Sequence, residues 1–522
     1  MSHYGDIIKR VCTKHSAGLD EVPGSLLIKC ASEIAAPLAS TINKSFSTGI
    51  FPSLLKISKI TPILKKGTPT DPSNYRPISI LSAFSKIYEY AMHTRIVSFL
   101  ASNNILSPAQ FGFQSKKSTT SAIFLFLNAL YNALDKGENC IGLFYDLSKA
   151  FDSIGHNILF SKLESIGIRS TPLSWLKSYL SNRSQLVSIS NIDNNGHKSH
   201  FNSYKLPVSV GVPQGSILGP LLFLIYVNDL PLTLNFGTVA LFADDTTHLI
   251  TSNESNPSTA IKIASKGAQR MESWCTTNHL LPNSSKSVLL NFHPHQRPID
   301  HSALVKFAGA NIKRKEETKF LGITISETLD WSPHINSLCS TLSSTCYLLR
   351  SIRHIIQPSL LHLIYFAHFQ SHIQYGLIFW GPSSHTSRLF LLQKRAVRFM
   401  TCAPWRAHCR DIFIKLEILT IFSLLILEAS LYVKKNPSLF TTNTSIHHHH
   451  TRRNNDIHIN RHNLSLFAKS PLHICSIIYN KLPPHIKSIS CTKLFKIQLK
   501  SYLIKKPYYS INDYLSEHYL TR

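Results

Sequence analysis

The apolar positions of this 522-residue chain change period as it runs. "SLLIKCASEIAAPLASTINKSF" places Ala, Leu and Ile at helical spacing, with Pro37 expected to divide the run. "KKGTPTDPSNYRPIS" reads as a loop rich in Pro and Ser, basic at its start. "STTSAIFLFLNALYNALDKG" predicts a long helix, with Ser118, Thr119 or Thr120 as its cap and Gly137 as its stop. "CIGLFYD" has the length and composition of a buried strand, and "SQLVSIS" and "YKLPVSVG" predict two more around the polar loop "NIDNNGHKSH". "SILGPLLFLIYVNDL" predicts a strongly apolar helix. "VALFADDTTHLI" predicts a hairpin whose β-prone arms flank two carboxylates. From Ser258 to Leu280, Ile261, Ala264, Ala268, Met271 and Cys275 share one helical face. "SVLLNF" and "KFLGITI" predict strands again. Beyond about residue 331 strand patterns largely end, and "STLSSTCYLLRSIRHII" and "SRLFLLQKRAVRFMT" predict basic helices. This mixed order, without a regular βαβ repeat, predicts an α+β fold.

Composition narrows the classes. The chain is 43% hydrophobic, with 28 Phe and 19 Tyr, enough to build cores and to exclude global disorder. Against 55 Lys and Arg stand 28 Asp and Glu, a net charge of +27. That balance suits a binder of polyanions: a nucleic-acid enzyme, a membrane-surface protein or a basic structural protein. The 10 Cys are scattered with no C-x-x-C pair, as thiols of a reducing compartment rather than a disulfide framework. Cys402, His408 and Cys409 form a zinc candidate without a fourth ligand at the usual spacing. The N-terminus lacks the continuous apolar core of a secretory signal. "DIFIKLEILTIFSLLILEASLYVKK" is broken by Lys415, Glu417 and Glu428, too soon to span a bilayer, and predicts a buried or amphipathic helix. "SIHHHHTRRNNDIHINRH" reads as an exposed polar linker, with metal binding by its four consecutive His as the alternative.

Because acids are scarce, their clustering carries information. Asp244 and Asp245 adjoin inside an apolar run. Like charges side by side cost energy unless solvent or a cation compensates them. From these residues alone, the pair is either a solvated turn or a divalent-cation site. A further carboxylate, Asp146, closes another apolar strand in "LFYDLSKAFDSI", and "GVPQGSILGPLLFLIYVNDLP" lies between the two. Strand-end carboxylates brought together would hold the two divalent ions of a phosphoryl-transfer site. Mg²⁺ suits this, since it takes few carboxylates and fills its shell with phosphate and water.

In order along the chain stand "KITPILKKGTPTDPSNYRPISILSAFSKIYE", "FGFQSKKSTTSAI", "LFYDLSKAFDSI", "GVPQGSILGPLLF", "LFADDT", "WCTTNHLLPNSSKS" and "KFLGITI". Over about residues 18–435 the chain resembles the reverse transcriptases of non-LTR retrotransposons of the Jockey/CR1 type. The resemblance implies a right-hand polymerase: fingers at 1–140, a palm at 141–330 with a finger-like insertion at about 155–210, a basic helical thumb at 331–435 and a C-terminal extension at 436–522. It implies an RNA-directed DNA polymerase that extends a DNA primer on an RNA template with dNTPs, using two Mg²⁺ ions or Mn²⁺ in their place. It implies no membrane partner, and places the protein in cytoplasm and nucleus.

Site residues follow from the same resemblance. Asp146 and Asp244 are the implied metal ligands, with the Leu147 carbonyl as a backbone ligand and Asp245 as the partner carboxylate. Asp152 is implied to be structural. Phe151 would stand against the sugar and reject a 2′-hydroxyl. Gln214 and Gly215 would line the incoming nucleotide, and Lys65, Lys66 and Arg76 would bind its triphosphate. Lys286 would protonate the departing pyrophosphate. Phe320, Leu321 and Gly322 would grip the primer end. The chain opens close to the implied fingers, so no upstream endonuclease domain is expected within it, and no ribonuclease H segment is visible.

Overall fold

The computed structural model describes residues 2–13, 16–192, 196, 198–254, 256–296, 304–446 and 454–517. The four-His run, residues 447–450, and the middle of the "NIDNNGHKSH" loop lie outside them. Nine strands frame the site: β1 (Ile57–Leu64), β2 (Tyr75–Ile80), β3 (Asn139–Tyr145), β4 (Arg183–Ile192), β5 (Thr238–Phe242), β6 (Asp245–Ser252), β7 (Val288–Phe292), β8 (Glu317–Phe320) and β9 (Ile323–Ser326). Helices surround them in an α+β arrangement.

Strands β1 and β2 pair antiparallel, and β4 runs parallel to β1, with Lys198–Asn202 and Leu206–Val208 pairing onto β4. The stretch around 155–210 therefore returns to the sheet that residues 57–80 begin. A second, central sheet has the order Lys313–Arg314, β7, β3, β6, β5; its last four strands are mutually antiparallel. Both faces of the central sheet are covered. Ile141, Leu143 and Tyr145 of β3 enter one core, with Leu222 of helix Leu218–Tyr226 and Met271 of helix Pro257–Thr277. Cys140 and Phe144 enter the other, with helix Thr119–Asp135 and the C-terminal helices. Burial on both faces is why "CIGLFY" reads as unbroken apolar sequence rather than as an alternation.

Several predicted elements appear as read. Ser118 caps helix Thr119–Asp135 by accepting from the Ser121 N–H, and Gly137, at φ +78°, turns the chain away. Helix Pro257–Thr277 buries Ala264, Ala268, Met271 and Cys275 along one face. Elsewhere the pattern misled. The N-terminal helical run breaks at Cys30, into Gly24–Lys29 and Ala31–Thr48, and Pro37 sits inside the second helix. Pro37 is exposed there, as is Glu33, whose carbonyl loses its helical donor to the ring and is left on the water side. "YRPIS" is not loop but strand β2; Pro62 and Pro77 face each other, so their missing donors fall at one rung of the ladder. "KFLGITI" is not one strand but the β8–β9 hairpin, turned by Leu321 (φ +44°) and Gly322 (φ +89°).

The long apolar segment forms two helices, Arg410–Lys415 and Ile421–Lys435, the second almost wholly buried. Among the described residues no helix is long and apolar enough to cross a membrane. The C-terminal part is no loose tail. Helices Pro471–Asn480 and Thr492–Lys505 pack on Ile421–Lys435, and Cys475, Ile478, Phe495, Leu499 and Leu503 are fully buried. The Thr420 hydroxyl donates to the Tyr508 carbonyl at 2.6 Å. Asp135, at the end of its helix, accepts from the N–H groups of Asn463 and Leu464 at 2.8 and 2.7 Å.

Candidate active site

The register of the central sheet brings the acids together. Strands β3 and β6 pair up to Tyr145 opposite Thr246; one residue beyond on each strand stand Asp146 and Asp245. Strands β5 and β6 close at Phe242 opposite Asp245, which leaves Ala243 and Asp244 as a two-residue turn. Ala243 has φ +57°, a conformation that usually selects Gly or Asn. Gln110, buried, holds it: its Oε1 accepts from the Ala243 N–H at 3.1 Å and from the Gly112 N–H at 2.8 Å. The 109–111 segment lies along β5, through Phe111 N–H to Leu241 C=O and Leu241 N–H to Ala109 C=O. A Cβ on Gly112 would come within 2.4 Å of the Ala243 nitrogen, so only glycine permits this approach.

The carboxylates oppose one another's charge. Asp245 stands exposed at the mouth of the site, yet burial of its carboxyl group, then Asp244, then Asp146 push its pKa up to about 6, against the pull of Lys65. Burial also raises Asp244, reinforced by Asp146 and opposed by a backbone hydrogen bond, Lys65 and Arg76. Those two cations come from β1 and β2: Lys65 follows β1, its N–H donating to the Asn74 carbonyl at 2.8 Å, and Arg76 pairs with Ile63. Lys66 is exposed in the same loop, and neither carboxylate registers its charge. The Asp146 backbone is pinned by the Ser287 hydroxyl (3.2 Å) and the Asn283 N–H (2.9 Å). Lys286, in the same turn, brings its Nζ to 3.7 Å from Asp146 Oδ2, an ion-pair distance too long for a hydrogen bond.

Around this cluster the predicted nucleotide-side residues are held by Asp152, which the resemblance implied to be structural, and by Ser79 and Glu89, which sequence reasoning missed. The Gln214 side-chain amide donates to both oxygens of Asp152 at 2.9 Å, and the Gln214 backbone carbonyl accepts from the Ser79 N–H at 2.7 Å. Gly215 has φ +123°, and a Cβ there would lie 2.5 Å from the Ser79 carbonyl oxygen. Glu89, wholly buried, accepts from the N–H groups of Ile217 and Leu218 at 2.7 and 3.3 Å where the next helix begins. Burial raises its pKa and Arg183 opposes the rise. The signal for Glu89 was a single acid amid "KIYEYAMH", visible only as an oddity. Phe151 is half-buried, stacked on Phe223 with centroids 4.6 Å apart and edge-on to Phe113.

Two predicted groups differ in detail. Phe320 points into the core, 5.1 Å from Phe126 and 5.6 Å from Phe144, so the β8–β9 turn presents only Leu321 and Gly322. The Tyr375 hydroxyl donates to the Leu321 carbonyl and steadies that turn. The zinc candidate is not assembled: Cys402 is exposed, while the buried Cys409 thiol faces the Ala407 and Lys394 carbonyls. Leu147 buries its side chain, its strand neighbour being Pro282.

Among the described residues, no three His, Cys, Asp or Glu side chains form a ready cage for a metal ion. The acids nonetheless fit a divalent ion of the Mg²⁺ kind, which needs few protein ligands. Asp146 Oδ2 is buried with no hydrogen-bond partner, and beside the larger effect of burial Asp146 raises Asp244 and both raise Asp245, a repulsion that a cation would relieve.

Comparison with known proteins gives the site a context. The chain is 29% identical over 428 residues to the probable RNA-directed DNA polymerase from transposon BS of Drosophila melanogaster, covering 77% of this chain and 44% of that protein. It is 28% identical over 426 residues to the RNA-directed DNA polymerase from mobile element jockey of the same organism, covering 78% and 44%. The chain thus spans under half the length of these relatives. Apo telomerase from Candida tropicalis, a solved structure, aligns with 76% of this chain and 67% of its own at 13% identity and a TM-score of 0.41. The family profile described as reverse transcriptase (RNA-dependent DNA polymerase) matches residues 63–325, half of the chain and every strand from β2 to β8. With Asp146, Asp244 and Asp245 inside that span, the chain belongs to the reverse transcriptase family.

Proposed function

We propose that the chain is the polymerase core of a non-LTR retrotransposon enzyme, extending a DNA primer on an RNA template by attack of the primer 3′-hydroxyl on the α-phosphate of a dNTP. The observation that carries this is the convergence of Asp146, Asp244 and Asp245 at adjoining strand ends, with Asp146 Oδ2 buried and without a hydrogen bond. In this reading the β1–β2–β4 sheet belongs to the fingers, the central sheet to the palm and the helices after residue 331 to the thumb. Members of the family use divalent metal ions. Asp146 and Asp244, with Asp245 and the Leu147 carbonyl, would hold two Mg²⁺ ions. When bound, these supply activation of the attacking oxygen and charge stabilisation on the leaving one.

The chain's own residues do the rest. Lys65 and Arg76 face the acids and would neutralise the triphosphate, Arg76 with paired donors and Lys65 as a point charge. Lys66, exposed in the same loop, would add its charge there. Because Asp152 takes the Gln214 amide protons, the Gln214 Oε1 remains an acceptor for a sugar hydroxyl. Gly215 gives close backbone access. Phe151, braced by Phe223, would exclude a ribose 2′-hydroxyl. Lys286, whose Nζ lies 3.7 Å from Asp146 Oδ2, would pass a proton to the departing pyrophosphate. The Leu321–Gly322 turn would touch the primer end.

The test is primer extension with an RNA template, a DNA primer and Mg²⁺. Wild type should extend with dNTPs, Asp146→Ala should not, and Phe151→Ala should begin to accept rNTPs. An inactive wild type that still binds template would sink the reading.

A further inference from the structure

We propose that the loop carrying Trp405 and Arg406 is a stacking site for an unpaired nucleotide of single-stranded nucleic acid. This rests on the polymerase reading only for the partner's class. Four of the five Trp, at 175, 274, 331 and 380, are at most 6% exposed. Trp405 is 76% exposed, and the Arg406 guanidinium lies 4.5 Å from its ring centroid.

The loop is built rather than slack. Cys402, at φ +52°, turns the chain out of helix Thr386–Met400. Arg398 reaches from that helix to the Ala407 carbonyl, donating from Nε and Nη2 at 3.0 and 2.9 Å. The Cys409 thiol, turned inward, anchors the far side. Between these ties, the chain holds the indole out in water, at the cost of its hydrophobic surface.

Charge selects the occupant. From Lys394 to Arg410 there are five Lys or Arg and no Asp or Glu. An apolar protein partner would strip water from those cations without repaying it. A nucleotide answers both features, its base on the indole face and its phosphate on the Arg406 guanidinium beside it. Stacking demands a base free of its pair, so single strands are bound in preference to a duplex.

Since the other four indoles are buried, quenching of intrinsic fluorescence reports on Trp405. We would titrate the full chain with a short unstructured RNA, the same sequence as single-stranded DNA, and a blunt duplex. Single strands should quench saturably and the duplex far less. By anisotropy of a labelled single strand, Trp405→Ala should bind roughly tenfold more weakly, with Trp405→Phe close to wild type. Trp405→Ala binding as tightly as wild type, quenching that survives in it, or equal quenching by the duplex would each overturn the site. None of these readouts needs primer extension, so an inactive polymerase that still quenches would sink only the polymerase reading.

Discussion

Asp245 sits near pKa 6 because burial, then Asp244, then Asp146 oppose its charge. Its ordinary value is near 3.8, so between about pH 4 and 6 the folded protein holds a proton that the unfolded chain has lost. Stability contributed by that proton is present below this window and fades as pH rises through it. Asp245→Asn should therefore melt roughly 1–3 °C higher than wild type at pH 7 without divalent ions, while primer extension disappears. A variant that melts lower would show that the acids are not in conflict. Gly215 tests the opposite kind of constraint. Gly215→Ala pushes a methyl against the Ser79 carbonyl at a left-handed φ, for about 1–3 kcal/mol of strain. The loop must shift, and KM for the nucleotide should rise several-fold in steady-state kinetics.

Helix Ser332–Ile352 begins just after the β8–β9 hairpin, and His334 joins the two. Its Nδ1 accepts from the Thr324 N–H at 3.3 Å, while Nε2 is buried without a partner. Burial, then Lys319, push its pKa down to about 4. The unfolded chain takes up the proton first as pH falls, so stability is lost between about pH 6.5 and 4, by ~3 kcal/mol at most. Thermal melts across that range should show a shallower decline for His334→Gln. At this scale the sequence was legible wherever period and burial coincide, as in β3 and helix Pro257–Thr277. It was not where the decisive fact lies elsewhere in the chain. Strand β2 hides behind its proline, and the β8–β9 turn depends on Leu321 taking a conformation that its residue type does not favour. The acids of the site could be read because two adjacent charges in an apolar run need an explanation. Gln110, Glu89 and Asp152 act on segments far off in sequence, which no local pattern displays.

The molecule as a whole is closed by its C-terminal helices. Ending the chain after Lys435 would remove six wholly buried core side chains, Cys475, Ile478, Phe495, Leu499, Leu503 and Tyr514, of which the Ile, Phe and Leu are each worth roughly 1.5–3 kcal/mol. That loss is comparable to the entire stability of an ordinary domain, about 5–15 kcal/mol. A 1–435 fragment should appear in the insoluble fraction, and the soluble remainder should lack a cooperative melt. If it melts as the full chain does, these helices are dispensable.

The Asp135 bond to Asn463 spans 328 positions. On a ribosome adding about 5–20 residues per second, roughly 15–65 s separate the synthesis of its two ends. Throughout that interval helix Thr119–Asp135 shows the growing chain's surroundings an apolar face that its final neighbours have yet to cover. The nascent chain thus offers a holding chaperone an apolar surface, and the setting of the site is completed only after translation has passed well beyond the acids themselves.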